Sequence, residues 1–599
     1  MRIVDKGSTR PLEQALRYTM PPELTVSLGQ HSARGRKDAN QDFYGALVPR
    51  QPDLGLKGVA VALADGISSS AVGGIAAETA VKTFLEDYYA TPETWSVKTS
   101  AQRVITAANS WLHAETRRGR HADDRDKGYV TTLSALVLKS RTAHLFHVGD
   151  ARIGRVSGTS LEQLTEDHRV VASSQESYLG RALGVNAHVE IDYWAVPVED
   201  GDVFVLTTDG VHEYVSARAI AAQIAAGAGN LDVAAQAIAE AAYEAGSPDN
   251  LTVQIVRIDA LPSGEPTDLF GNVDSLAPAP VLEPPTHFDG YDILRPLHAS
   301  ARSHVYLAKD AATGATVALK VPSVDLRDDP AYLRRFMMEE WIARRIDNLH
   351  VLKAHPQTRR RSHLYVAMDY VDGQTLTQWM ADHREPGLET VRSLVEQIAR
   401  GGQAFHRREM VHRDLRPDNI LIDAGGTVRI IDFGATKVAG VIEAEPPVAD
   451  EAMLGTLQYT APECFLGEAA TPGSDVFSVG VIAYQLLTGR LPYGAAAARA
   501  WTRASQRKLR YRSARDSRPT LPAWVDGALR RAVHPNPQRR YTVLSEFLHD
   551  LRHPNPALTD TRSLPLLERN PLIFWQGLSL VLAVVVFCLL ADRVFWPPR

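Results

Sequence analysis

Cysteine is almost absent from the 599 residues: Cys464 and Cys588 are the only two. Two thiols cannot build a disulfide framework, and their separation gives no metal-ligand spacing, so the sequence reads as that of a protein of a reducing compartment. The opening stretch MRIVDKGSTRPLEQALRYTMPPEL lacks the apolar run that a secretory signal needs, which predicts folded regions that stay in the cytosol. A basic excess is missing too, since 65 Lys and Arg face 70 Asp and Glu for a formal net charge of -5. That balance argues against nucleic acid as a partner, and the short run Arg359-Arg360-Arg361 reads as a solvated loop. Internal repeats are also lacking. At 45% hydrophobic and 23% charged residues the composition is that of folded globular protein, and the length exceeds one core, which suggests two large units and a tail.

One long apolar run is present. Residues 572–591, LIFWQGLSLVLAVVVFCLLA, carry no formal charge, and about 20 residues at ~1.5 Å each cover a ~30 Å hydrocarbon core. The expectation is a single-pass tail anchor, with Phe574, Trp575, Phe595 and Trp596 at the two interfaces and Arg569 and Arg593 flanking. The competing reading, a buried core helix, would need a polar face that this run lacks. The remaining division is a 1–24 extension, a first domain over 25–258, a Pro-rich linker over 259–287, a second domain over 288–552, a juxtamembrane linker over 553–571 and a short 592–599 tail.

In the first domain, short apolar runs over 59–64, 133–138, 143–148, 203–207 and 251–258 read as strands, and 71–89, 103–117 and 231–244 as helices. Asp65, Asp150, Asp209 and Asp249 each stand beside glycine or asparagine at the end or start of such a run. A strand end fixes a side chain rigidly, and carboxylates gathered there repel one another until divalent cations neutralise them. An all-oxygen set favours Mg2+ or Mn2+ over Zn2+. With KDANQD, ADG, GYVTTLSALVL, HVGDAR, LTEDH, LGRALG, TTDGVHE and SPDNLTV in this order, the region resembles the PPM (protein phosphatase 2C) family. The resemblance implies an α+β fold, an antiparallel β-sandwich flanked by helices in α/β/β/α layers, with a metal pair at one end. Asp65 with the Gly66 carbonyl would bridge the pair, Asp209 and Asp249 would complete the first site, and Asp42 would act through water. Asp150, Asp209 and Glu213 would form a third metal position. A metal-activated water would attack phosphorus with no covalent phosphoenzyme. The family's phosphate-binding arginine falls on Lys37, with Arg36 beside it, and lysine offers a point charge rather than a fork. Ile67 takes the place of a histidine acid found in some members, and Gln41 that of a glutamate.

From about residue 291 to 551 the motifs resemble those of a eukaryotic-like protein kinase, which implies a two-lobed fold using ATP and Mg2+. Lys320 in VALK would reach the ATP phosphates and pair with Glu339, or with Glu340 one residue on. Asp414 of HRD would accept the substrate hydroxyl proton, while Asn419 and Asp432 of DFG would hold metal. LYVAMDYVDG resembles the hinge, so Met368 would be the gatekeeper and Asp369 and Val371 would hold adenine. Glu463 of the APE motif would pair with Arg540, and Asp475 would lie on the central helix. The phosphate-covering G-x-G-x-x-G-x-V falls on His298, Ser300, Ser303 and Val305, without any of its glycines, and Arg416 replaces a lysine. Residues 437–455 contain no Ser, Thr or Tyr. Asp450 or Glu451 could therefore supply the negative charge that a phosphate on this loop usually presents to Arg413. The expected partners are protein substrates bearing Ser/Thr or phospho-Ser/Thr. The reading is a bifunctional, membrane-held enzyme, and its alternative is a phosphatase joined to a nucleotide-binding pseudokinase.

Overall fold

The computed structural model describes residues 23–119, 127–171, 177–227, 229–262, 276–300, 302–326, 329–356, 359–442, 458–559 and 571–595. The first domain is built on two five-stranded antiparallel sheets. One orders Thr25–Ala33, Leu251–Ala260, Val203–Thr207, Arg152–Ser157 and Ser160–Gln163, and the other Asp192–Pro197, Thr142–Val148, Leu133–Lys139, Val59–Asp65 and Asp42–Leu47. Strand Val59–Asp65 shows why these layers form. Its two-residue period sends Val59, Val61 and Leu63 into the core between the sheets, and Ala60, Ala62 and Ala64 into the core under helices Gly73–Ala90 and Val97–Arg118. Alanine on the helix side permits close approach. A third core, around Val205, Leu231, Ile238 and Ile255, seats helices Ala217–Ala226 and Leu231–Glu244 on the other sheet. The result is four layers, α/β/β/α.

The second domain has two lobes. The small lobe pairs Thr286–Phe288, Tyr291–Ala299, Ser303–Asp310, Thr316–Pro322 and Val366–Asp369 in one antiparallel sheet and carries helix Pro330–Arg345. The large lobe packs helices Leu388–His406, Pro472–Thr488, Ala523–Ala532 and Leu544–Arg552 around one continuous core.

Three places differ from the sequence reading. Part of the segment read as a linker is built into the small lobe: Ala277–Pro278 pairs with His363–Leu364, and Ala279 and Leu282 are buried in its core. The Arg359–Arg361 run is not simply solvated. Arg359 bonds the Gly290 carbonyl at 2.6 Å and pairs with the buried Asp310 at 2.5 Å, while Arg361 pairs with buried Glu340. Buried carboxylates recruit these guanidiniums because they have no water to meet instead. At the C-terminal end a helix forms over Pro571–Phe595, yet among the described residues no helix is long and apolar enough to cross a membrane.

Candidate active sites

Strands Asp42–Leu47 and Val59–Asp65 are in a register that places Asp42 directly opposite Asp65. Like charges so placed are destabilising unless something neutralises them. The Asp42 carboxyl accepts hydrogen bonds from Thr252 at 2.6 Å and Thr208 at 3.0 Å through Oδ2, while its buried Oδ1 has no protein partner. Burial, and then Asp209 and Asp249, lifts the Asp42 carboxyl to about 7. Burial and the charges of Asp42, Asp209, Asp150 and Asp249 raise Asp65 well above the ordinary carboxylate range. Asp209 is lifted to about 6 by burial and by Asp150 and Asp249, against the opposing pull of Arg169. This is a surplus of buried negative oxygen, the donor chemistry that suits Mg2+ or Mn2+.

The chain's own cations already meet part of that surplus. Arg169 reaches Asp150 at 2.7 Å and Asp209 at 2.9 Å and also pairs with Glu213, so one guanidinium spans the three acids read as a third metal position. Lys37 pairs with Asp249 at 3.2 Å and donates to the Ser68 hydroxyl at 2.9 Å. As the side chains stand, no group of three or more His, Cys, Asp or Glu among the described residues is gathered into a metal cage. Asp42 with its orphaned oxygen and the adjoining Asp65 fit a metal pair, whereas the Asp150, Asp209 and Glu213 set would first have to release Arg169. Gly66 is required by close approach, since a Cβ there would lie 2.3 Å from the Gly73 backbone. Arg36 departs from its expected place. It stacks on Tyr243 at 4.4 Å and donates to the Tyr243 and Ser247 carbonyls at the end of helix Leu231–Glu244, where exposed carbonyls attract a cation. Lys37 alone of the two faces the acids. Arg169 escaped the sequence reading because its role depends on where the 166–171 segment folds back.

In the second domain, strand Thr316–Pro322 and helix Pro330–Arg345 bring Lys320 Nζ to 2.6 Å from Glu339 and 3.5 Å from Asp432. Burial alone would lower the lysine, but Glu339 and Asp432 outweigh it and hold the ammonium above its usual range. Lys320 in turn depresses Asp432. Glu340 points elsewhere, bonded to Arg344 at 2.9 Å and to Arg361, which decides between the two glutamates. Asn419 Nδ2 donates to the Asp414 carboxylate and carbonyl, both at 2.9 Å. Asp475 accepts the backbone N–H groups of His412 at 2.9 Å and Arg413 at 3.0 Å, and so braces the loop bearing Asp414. Arg413 and Asp432 both take positive φ, 68° and 64°, conformations that such bonds must hold in place. Met368 is buried opposite Ala318, with Asp369 ending its strand and Val371 two residues on.

Where glycines are expected, serines close the hairpin on itself. Ser303 N donates to Ser300 Oγ at 3.1 Å, and Ser300 N to the Ser303 carbonyl at 3.0 Å, with Val305 opposite His298 in the ladder. Arg416 lies 3.9 Å from Asp414 and 3.7 Å from Asp418. Glu463 and Arg540 form a bidentate buried pair at 2.6 and 2.7 Å. Asp450 and Glu451 lie outside the described residues.

Comparison with known proteins agrees with this division. Residues 30–240 match the family model "Protein phosphatase 2C", and residues 291–552 match "Protein kinase domain". The chain is 29% identical over 261 residues to serine/threonine-protein kinase PrkC of Bacillus subtilis, which covers 43% of this chain and 40% of that protein. It is 32% identical over 292 residues to serine/threonine-protein kinase Pkn1 of Myxococcus xanthus, covering 47% and 41%. The chain thus spans less than half the length of these curated relatives. Among solved structures, the Mycobacterium tuberculosis serine/threonine phosphatase PstP/Ppp is 22% identical, covering 39% of this chain and 99% of its own, with a TM-score of 0.34. The Mycobacterium tuberculosis PknI kinase domain is 28% identical, covering 45% and 98%, with a TM-score of 0.36. By the two family models and the sequence relatives, one chain carries a protein phosphatase 2C domain followed by a serine/threonine protein kinase domain.

Proposed function

We propose that the chain both transfers phosphate from ATP to protein Ser/Thr and hydrolyses phosphate from the same class of residue. The observation that carries this reading is the closed 2.6 Å Lys320–Glu339 pair beside Asp432, in a chain whose other half concentrates buried carboxylates around Asp65. In the kinase, Lys320 would hold the ATP phosphates, Asp432 and Asn419 would hold Mg2+, and Asp414 would accept the hydroxyl proton. Met368, Asp369 and Val371 would frame adenine, with Ser300, Ser303 and Val305 bordering the nucleotide. In the phosphatase, Asp42, Asp65, the Gly66 carbonyl, Asp209 and Asp249 would hold Mn2+ or Mg2+, whose Lewis acidity makes water a nucleophile near neutral pH. Asp150 and Glu213 would join a further ion once Arg169 withdraws, and Lys37 would meet the substrate phosphate. Helix Pro571–Phe595 would hold both domains at a membrane.

The self-closed Ser300–Ser303 turn favours a second reading, in which the kinase-like half binds nucleotide without transferring phosphate. Purified full-length chain with labelled ATP, Mg2+ and Mn2+ separates the two. On an Asp209→Ala background, which stops erasure of product, label should reach protein Ser/Thr and vanish with Asp432→Ala. Absence of any Asp432-dependent transfer leaves the second reading standing.

A further inference from the structure

The two domains meet at a polar face that touches the kinase where kinases are switched. Glu93 of the phosphatase domain binds Arg345 through one carboxylate oxygen, at 2.9 Å from Nε and 2.5 Å from the second nitrogen. Arg345 ends the helix that bears Glu339. Thr94 O accepts the Gly440 N–H at 2.9 Å, and buried Lys139 donates to the Gly440 carbonyl at 2.5 Å. Gly440 follows the strand Lys437–Val438, at the start of the activation segment. A Cβ at Gly440 would lie 2.6 Å from the Glu93 carbonyl and 2.7 Å from that of Trp95, so only glycine permits this approach. Glu409, just ahead of the strand leading to His412-Arg413-Asp414, accepts from Ser96 N at 2.7 Å and Thr99 Oγ1 at 2.6 Å. A kinase carboxylate thereby braces Ser96, the residue that caps the 22-residue phosphatase helix Val97–Arg118, and adds negative charge at the N-terminal end of that helix. Leu56 of the phosphatase domain is 1% exposed and belongs to the same core as Val441, Ile342 and Phe433 of the kinase.

We propose that the phosphatase domain is a built-in positioning partner of the kinase: its Glu93–Thr99 segment and Lys139 clamp the Glu339-bearing helix and the start of the activation segment, holding the Lys320–Glu339 pair closed. This rests on the kinase being catalytic, and it makes the phosphatase fold, rather than phosphatase turnover, the activator. The absence of Ser, Thr and Tyr from residues 437–455 gives such a clamp a purpose, since a phosphate on that stretch cannot do the ordering. Glu93, Arg345, Lys139 and Gly440 are positioning residues.

The test is a charge exchange in the full-length chain. Glu93→Arg and Arg345→Glu singly should each lower kinase kcat about tenfold with little change in KM for ATP, and the double exchange should recover most of the loss. Glu93→Arg should leave phosphatase turnover of a phosphopeptide at the parent value. Asp65→Asn, which disables the phosphatase centre but not the contact, should leave the kinase rate unreduced. Hydrogen exchange gives a readout independent of activity: amides of 330–345 and 437–442 should exchange faster in each single variant and return toward the parent in the double. Unchanged exchange and unchanged kinase kcat in both single variants overturn the clamp. A parent without kinase activity defeats the catalytic reading instead, while the exchange data still decide whether the clamp exists.

Discussion

Adjacent residues of one type can have opposite fates, and the site depends on which wins. Glu339 and Glu340 are both buried, but only Glu339 meets Lys320, whereas Glu340 neutralises Arg344 and Arg361. Glu339→Ala should therefore lower kinase kcat/KM by roughly 100-fold, since misplacing the lysine misplaces the phosphates, and should also cost stability because Lys320 loses its nearer buried carboxylate. Glu340→Ala should destabilise the small lobe by about 3 kcal/mol without touching Lys320, because buried Arg361 loses the Glu340 carboxylate. Steady-state kinetics and denaturant unfolding of the two variants check this division. Histidines give a second residue-scale prediction. Burial, with help from Lys139, pushes His144 from 6.5 down to about 4. An unfolded chain then protonates first as the pH falls, so this contribution to stability is full above 6.5 and is lost progressively toward 4. His144→Asn should show a shallower loss of thermal midpoint across that window when both proteins are metal-loaded, as followed by near-UV circular dichroism. Metal loading matters because the raised Asp42 carboxyl acts in the opposite sense, costing stability as the pH rises toward 7.

Elements were legible wherever one periodicity dominated. Strands over 59–65, 133–139 and 251–260 follow their apolar runs closely, and helix Leu231–Glu244 falls where its pattern puts it. The segment after residue 276 was not legible, since prolines suggest a linker while Ala279 and Leu282 supply just enough apolar area to dock on the small lobe. Helix Pro571–Phe595 presents Leu572, Trp575, Leu580 and Val581 to the outside at 58–68% exposure. Such a row of apolar side chains is costly in water. If helix Pro571–Phe595 holds the chain at a membrane as proposed, removal of residues 571–599 should move the chain from the membrane pellet to the supernatant after cell fractionation. A truncated chain still found in the pellet argues against the anchor.

At the scale of the whole molecule, tethering sets the two domains at high mutual concentration, on the order of millimolar, and the interface fixes which surfaces face each other. The sequence by itself determined the order of the domains and where the candidate residues fall: acids at strand ends, the lysine and the paired loop motifs. It could do so because each rests on a local pattern of residue type and spacing. Only the tertiary structure decided that Arg36 caps a helix while Lys37 faces the acids, that Arg169 spans three carboxylates, and that Glu93 and Glu409 bind the opposite domain. Those outcomes depend on groups far apart in sequence being desolvated together, and a buried charge takes whichever partner the fold brings within reach.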